Sequence, residues 1–185
     1  MVKKVVAIGG SAGSVVLIYQ LLKKLRDDFP YPIFMVVHRL SEQKSELANL
    51  FQTQTKIPIT EPEGPTQITG NTIFLAAPGK HMFIENDTLI NIDNSPLIQF
   101  SRPSIDVLFF SASEIFKNKL VGVIVSGTNQ DGAIGMHRIK ENGGITLVQD
   151  PDEAKMARMP KAAIAATKVD YILKGEEIIK FLNKL

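Results

Sequence analysis

Three residues of this 185-residue chain have the types needed for acyl transfer without a metal: Ser11, His38 and Asp131. A serine hydroxyl is a poor nucleophile near neutral pH. An imidazole has to take its proton, and a carboxylate is needed to hold that imidazole in one tautomer. Ser11 stands in Gly9-Gly10-Ser11-Ala12-Gly13, a match to the G-x-S-x-G turn that exposes a nucleophile between a strand and a helix. The glycines permit a sharp turn, and the helix beyond it aims free backbone N–H groups at a developing oxyanion.

Each residue also has a plainer reading. The Gly9–Gly13 segment fits a turn that caps a helix or binds a phosphate, His38 fits a turn histidine, and Asp131-Gly132 fits ordinary turn chemistry. The catalytic case rests on the three together. A dinucleotide fingerprint is disfavoured, because Ser11 and Ser14 replace the second and third glycines of G-x-G-x-x-G and the next strand ends in His38, not in an acid. The order Ser, His, Asp also departs from the Ser, acid, His order of the usual α/β-hydrolases. His81, after Pro78-Gly79-Lys80, is a candidate substrate-binding residue on the same rim, whereas His137 falls inside a helical pattern and reads as structural. Three isolated histidines make no zinc site, and with no cysteine there is no thiolate ligand, disulfide or cysteine nucleophile. Neither a metal nor a cofactor is expected.

The elements that must position these residues alternate along the chain. Val5 to Ile8 is a β-branched strand, Val15 to Leu25 a helix, and Ile33 to Val37 a second buried strand that stops at His38. Ser41 is expected to cap a helix through Phe51 with Lys44 and Glu46 on its polar face. A strand over Thr72 to Ala76 precedes a hairpin around Asn86-Asp87. Ile105 to Phe116 has helical spacing, with Pro103 expected in its first turn. Leu120 to Val125 is the most apolar strand and opens onto the turn-rich Ser126–Gly132. A helix over 133–142, a strand over 144–149, a helix at 160–166 and a closing helix at 176–182 complete the series. This alternation predicts an α/β fold, a mostly parallel, doubly wound, Rossmann-like sheet covered on both faces, with a peripheral β-hairpin. Ser11, His38 and Asp131 each follow a different strand, so one rim of the sheet would collect them.

Length and composition set outer bounds. The chain suits one domain spanning 1–185, with 44% hydrophobic and 22% charged residues. No run approaches the ~20 apolar residues of a membrane span, and the start shows no secretory pattern, so a cytoplasmic protein without membrane insertion is expected. The net charge of +2 is scattered along the chain, which argues against a nucleic-acid partner.

The set Ile8–Gly13, Val37-His38, Ala77–Met82, Arg102–Phe109, Ser126–Gly135 and Met159–Ile164, in that order over nearly the whole chain, closely resembles the catalytic domain of the CheB protein-glutamate methylesterases. The resemblance implies a three-layer α/β/α sandwich. It also implies Ser11 as nucleophile, His38 as general base and acid, and Asp131 as the residue that orients His38. The implied reaction is hydrolysis of glutamate γ-methyl esters on the cytoplasmic region of a methylated chemoreceptor, with glutamine deamidation as a related activity and no cofactor. Ala12, Thr128, His81, Arg102 and Met159 form the wider substrate and oxyanion set. Arg102 either meets an acidic receptor surface or anchors a helix start. Met159-Pro160 shapes the site wall or simply starts a helix with Pro160 in first position. Departures are Ser14 in place of a common glycine and Thr128 in place of a common methionine, whose backbone is linked to the oxyanion hole. Many relatives carry an N-terminal receiver domain. The elbow here begins within a few residues of Met1, so regulation in cis is not expected and a receiver-domain protein would have to act in trans. The alternatives are a serine esterase or amidase for another substrate, a non-catalytic binding module on the same scaffold, and a phosphate or nucleotide binder.

Overall fold

The computed structural model describes residues 4–39 and 46–185. Its central strand is β1 (Val5–Gly10), in which all six residues are buried. Successive side chains of a strand point to opposite faces, so a strand with both faces buried must be covered twice. Val6 and Ile8 face a layer formed by α1 (Ser14–Lys24) and α6 (Gly175–Asn183) through Leu17, Ile18, Leu21, Ile178 and Leu182. Val5 and Ala7 face the opposite layer of α3 (Ile105–Phe116), α4 (Ala133–Glu141) and α5 (Arg158–Ala166), through Leu108, Phe109, Met136, Ile139 and Ala163. The apolar residues of α1 recur at three and four positions, which places them on one stripe toward the sheet.

Beside β1 lie β2 (Ile33–Val37) and β8 (Leu120–Ile124), both parallel to it. Outward from β2 come β5 (Ile73–Leu75) and β3 (Ile59–Thr60). Outward from β8 come β9 (Ile145–Gln149) and β10 (Tyr171–Leu173). Every pairing in this seven-stranded sheet is parallel. The chain grows to one side from β1 and later resumes on the other, so strand order reverses between β1 and β8, which opens a crevice at their carboxyl ends. The expected doubly wound, three-layer arrangement is therefore the one observed.

A second, antiparallel sheet has the order β4 (Thr66–Gln67), β7 (Leu89–Asp93), β6 (His81–Asn86). The expected hairpin is thus β6–β7 with a third short strand added. Its turn is held by Asn86 Oδ1, which accepts the Thr88 N–H at 3.0 Å, and its inner face packs on α3 through Met82, Ile84 and Ile90.

Several local expectations shift. β3, β4 and β10 are two or three residues long and carry too little periodicity to be read from sequence. Of the helix expected from Ser41, only α2 (Leu47–Gln52) is seen; Ser41 and Lys44 lie outside the described residues. Pro103 precedes α3, whose N-cap is Ser104. Pro160 is the third residue of α5, where a missing N–H still costs no intrahelical bond. No helix among the described residues is long and apolar enough to cross a membrane.

Candidate active site

Ser11 stands one residue beyond β1, at the start of a turn tied on both sides. Its N–H donates to the Ser126 carbonyl at 2.9 Å, and its own carbonyl accepts the Ser14 N–H at 3.0 Å and the Ser14 hydroxyl at 2.6 Å. Ser14 is fully buried, and its hydroxyl serves as a brace for the turn. Gly13 adopts φ 81°, the left-handed region that disfavours a side chain, and a Cβ there would lie 2.7 Å from Ser126 Oγ. That Oγ instead donates to the Ala12 carbonyl at 2.8 Å, fastening the turn to the loop after β8. Among the described residues, no acceptor engages the Ala12 N–H and no partner engages the Ser11 hydroxyl.

His38 continues the register of β2: its N–H donates to the Gly10 carbonyl at 3.0 Å, which brings its ring to the Ser11 turn. Ring Nε2 lies 2.7 Å from Asp131 Oδ2. Ring Nδ1 faces the opposite way, toward Ser101 Oγ and Asn129 Nδ2, each at 3.5 Å. The His38 side chain is 12% exposed and that of Asp131 0%.

Asp131 is seated on the first turn of α3. Its Oδ1 accepts the Ser104 hydroxyl at 2.9 Å and the Asp106 N–H at 3.0 Å, and Oδ2 accepts the Ile105 N–H at 2.7 Å beside the His38 bond. A helix N-terminus presents unpaired N–H groups and a partial positive charge, a suitable seat for a carboxylate. Burial alone would raise the Asp131 pKa, but the His38 hydrogen bond, the N–H groups of Asp106 and Ile105 and the His38 charge together hold it below the usual carboxylate range. Its neighbour Asp106 goes the other way. Burial pushes that carboxyl up to about 6, with the nearby Asp131 charge adding to the effect and the Gly135 N–H opposing it.

Ser11, Ala12 and His38 share one cleft of about 480 Å³ with Arg39, Gly79, Leu97, Phe100, Ser101, Arg102 and Pro103. Arg102 anchors a carbonyl pair: its Nη1 donates to Asn94 at 2.8 Å and Ser95 at 2.9 Å, so the alternative of anchoring is realised on a loop instead of a helix start. Thr128 is exposed on the loop after β8, and no acceptor engages its N–H among the described residues. His81 and Met159 do not reach the cleft as expected. His81 is fully buried, takes the Ser104 N–H on Nδ1 at 3.1 Å and donates from Nε2 to the Pro96 carbonyl at 3.2 Å; it braces the start of α3. Met159 is 1% exposed and packs under Gly127, where an added Cβ would meet its sulfur at 2.6 Å. His137 is a surface residue of α4, 3.4 Å from Glu141.

Sequence reading missed Ser101, Asn129, Ser104 and Ser126. Only Ser104 had a local signal, an N-cap type before a helical run. The arrangement is chemically a hydroxyl and an imidazole in one cleft, the imidazole backed by a buried carboxylate.

A family model described as CheB methylesterase matches residues 6–182. A Leptospira interrogans protein provisionally named protein-glutamate methylesterase/protein-glutamine glutaminase is 41% identical over 180 residues, covering 97% of this chain and 93% of its own. A Clostridium acetobutylicum protein-glutamate methylesterase/protein-glutamine glutaminase is 31% identical over 184 residues; this chain spans 53% of its length. The crystal structure of the Thermotoga maritima CheB methylesterase catalytic domain superposes with a TM-score of 0.93 at 27% identity, covering 100% of this chain and 99% of that one.

Proposed function

The chain belongs to the CheB methylesterase family, and from that premise we propose that it hydrolyses glutamate γ-methyl esters on the cytoplasmic segments of chemoreceptors, using Ser11, His38 and Asp131. One observation carries the assignment of roles. Asp131, buried under four donors, takes His38 Nε2 at 2.7 Å, which leaves Nδ1, turned toward Ser101, as the basic nitrogen in the cleft that Ser11 and Ser101 both line.

The reaction follows from that polarity. Ser11 Oγ attacks the ester carbonyl as its proton passes to His38 Nδ1. Asp131 stabilises the resulting imidazolium through Nε2 without itself taking the proton. The oxyanion is met by the Ala12 N–H in the cleft and by the Thr128 N–H of the loop after β8, neither of which has an acceptor among the described residues. A backbone donor does not depend on the side chain, so threonine in place of methionine is compatible with this role. His38 then protonates the departing methoxide, the C–O bond breaks, and methanol leaves the acyl-enzyme. Water, giving its proton to Nδ1, attacks the acyl carbon; the glutamate carboxylate is released and Ser11 regains its proton. With a glutamine substrate the same steps release ammonia. The substrate places the enzyme in the cytoplasm, in chemotactic signalling, and 1–185 acts as one catalytic unit.

The test is methanol release from methyl-esterified receptor cytoplasmic fragments. Wild-type chain should release it and Ser11→Ala should lose at least about 10³-fold in kcat. No release by the wild-type chain, with an active relative as control, would overturn the methylesterase reading.

A further inference from the structure

Resting on the same serine-hydrolase reading, we infer that Asn129 is a positioning residue for the base: its carboxamide N–H addresses His38 Nδ1 and tunes the imidazole toward its neutral, proton-accepting form. The orientation of the amide is settled by its other end. Asn129 Oδ1 accepts the Asp131 N–H at 3.2 Å, so Nδ2 has to face the ring. It lies 3.5 Å from Nδ1 and 3.3 Å from Ser101 Oγ. Because Ser101 Oγ accepts from Asn129, its own proton is free to point at Nδ1, 3.5 Å away. Such distances suit a resting site whose hydrogen bonds tighten when substrate arrives.

Two donors therefore face Nδ1. A neutral ring protonated on Nε2 satisfies Asp131 on one side and offers a lone pair on the other. Protonation at Nδ1 sets N–H against the N–H of Asn129. Ser101 can rotate and accept; Asn129 cannot, since its oxygen is committed to Asp131. Among the described residues, the charged groups near the ring include Asp131 at Nε2, Arg39, which pairs with Glu61 and the Ala76 carbonyl, and Arg102, held on Asn94 and Ser95. Among the described residues, the hydrogen-bonding contacts of Nδ1 are those with Ser101 and Asn129. Asp131 at Nε2 and Asn129 at Nδ1 thus act on the ring in opposite senses.

The experiment is an NMR titration of the His38 ring in the full chain, the resonance identified by its loss in His38→Gln. Asn129→Ser keeps an oxygen able to take the Asp131 N–H but is too short to reach Nδ1, and Asn129→Ala removes both contacts. Both variants should raise the His38 pKa by about 0.5–1 unit, with the acid limb of kcat/KM moving equally. If Asn129 only braces the loop, Asn129→Ser keeps the wild-type value and Asn129→Ala lowers it by loosening Asp131; either result overturns the inference. The titration needs no substrate, so failure of the methylesterase assignment leaves this outcome readable.

Discussion

His38 presents Nε2, not Nδ1, to Asp131, at 2.7 Å, and the oxygen it meets also takes the Ile105 N–H at 2.7 Å. The carboxylate is thus shared between the His38 ring and the first turn of α3. One residue orients the ring and anchors the helix that packs against β1.

That double role predicts two separable losses. Asp131→Ala strands the donors of Ser104, Ile105, Asp106 and His38, at a cost of about 2–4 kcal/mol by chemical denaturation. Asp131→Asn keeps the shape but places an N–H₂ against a donor on one side or the other. Turnover should then fall about 10³–10⁴-fold. An Asn variant within tenfold of wild-type kcat would remove Asp131 from the mechanism.

Gly13 tests the turn. Alanine there combines a left-handed φ of 81° with an approach of 2.7 Å to Ser126 Oγ. Gly13→Ala is expected to destabilise by about 1–3 kcal/mol and to lower kcat more than it raises KM, because it displaces Ser11. Unchanged stability together with unchanged kcat would show that the turn tolerates the side chain.

Asp106 makes stability depend on pH. Its folded pKa, about 6, exceeds the ordinary aspartate value of 3.8, so the native chain holds the proton more tightly than the unfolded one. Its contribution is complete below the unfolded value and is lost as pH rises through about 6. Asp106→Asn removes this loss. The side chain still offers an oxygen to the Gly135 N–H, and its new N–H₂ takes the place of Oδ2, which accepts from Gln99 Nε2 at 2.8 Å, so the Gln99 amide has to turn over and present Oε1, which has no partner in the wild type. The variant's stability relative to wild type should grow by about 1–3 kcal/mol between pH 4 and pH 7. Denaturant melts across that range measure it, and a difference independent of pH would refute it. The depressed Asp131 pKa acts with the opposite sign, its stabilisation being lost only as pH falls below the usual carboxylate range.

His81 should behave as structure. His81→Ala removes the acceptor of the Ser104 N–H and the donor to Pro96, costing about 2–4 kcal/mol. At a temperature where the variant remains folded, kcat should stay within about tenfold of wild type. A loss matching that of His38→Ala would return His81 to the chemistry.

Read from sequence alone, the chain yields the strand, turn and helix around Ser11, the parallel α/β sheet and the rim shared by Ser11, His38 and Asp131. These depend on local causes: β-branched runs buried on both faces, glycines at a turn, and apolar residues at helical spacing. Other features were decided only by tertiary structure. Asp131 finds its donors 25 to 27 residues away in sequence, and His38 lies 93 residues from it. Which ring nitrogen faces the acid, why His81 is a brace, and how Asn129 comes to face the base all depend on where those distant segments pack. Residue type states what a side chain can bond to, but only the packed fold decides which partner stands within 3 Å and which proton is left for chemistry.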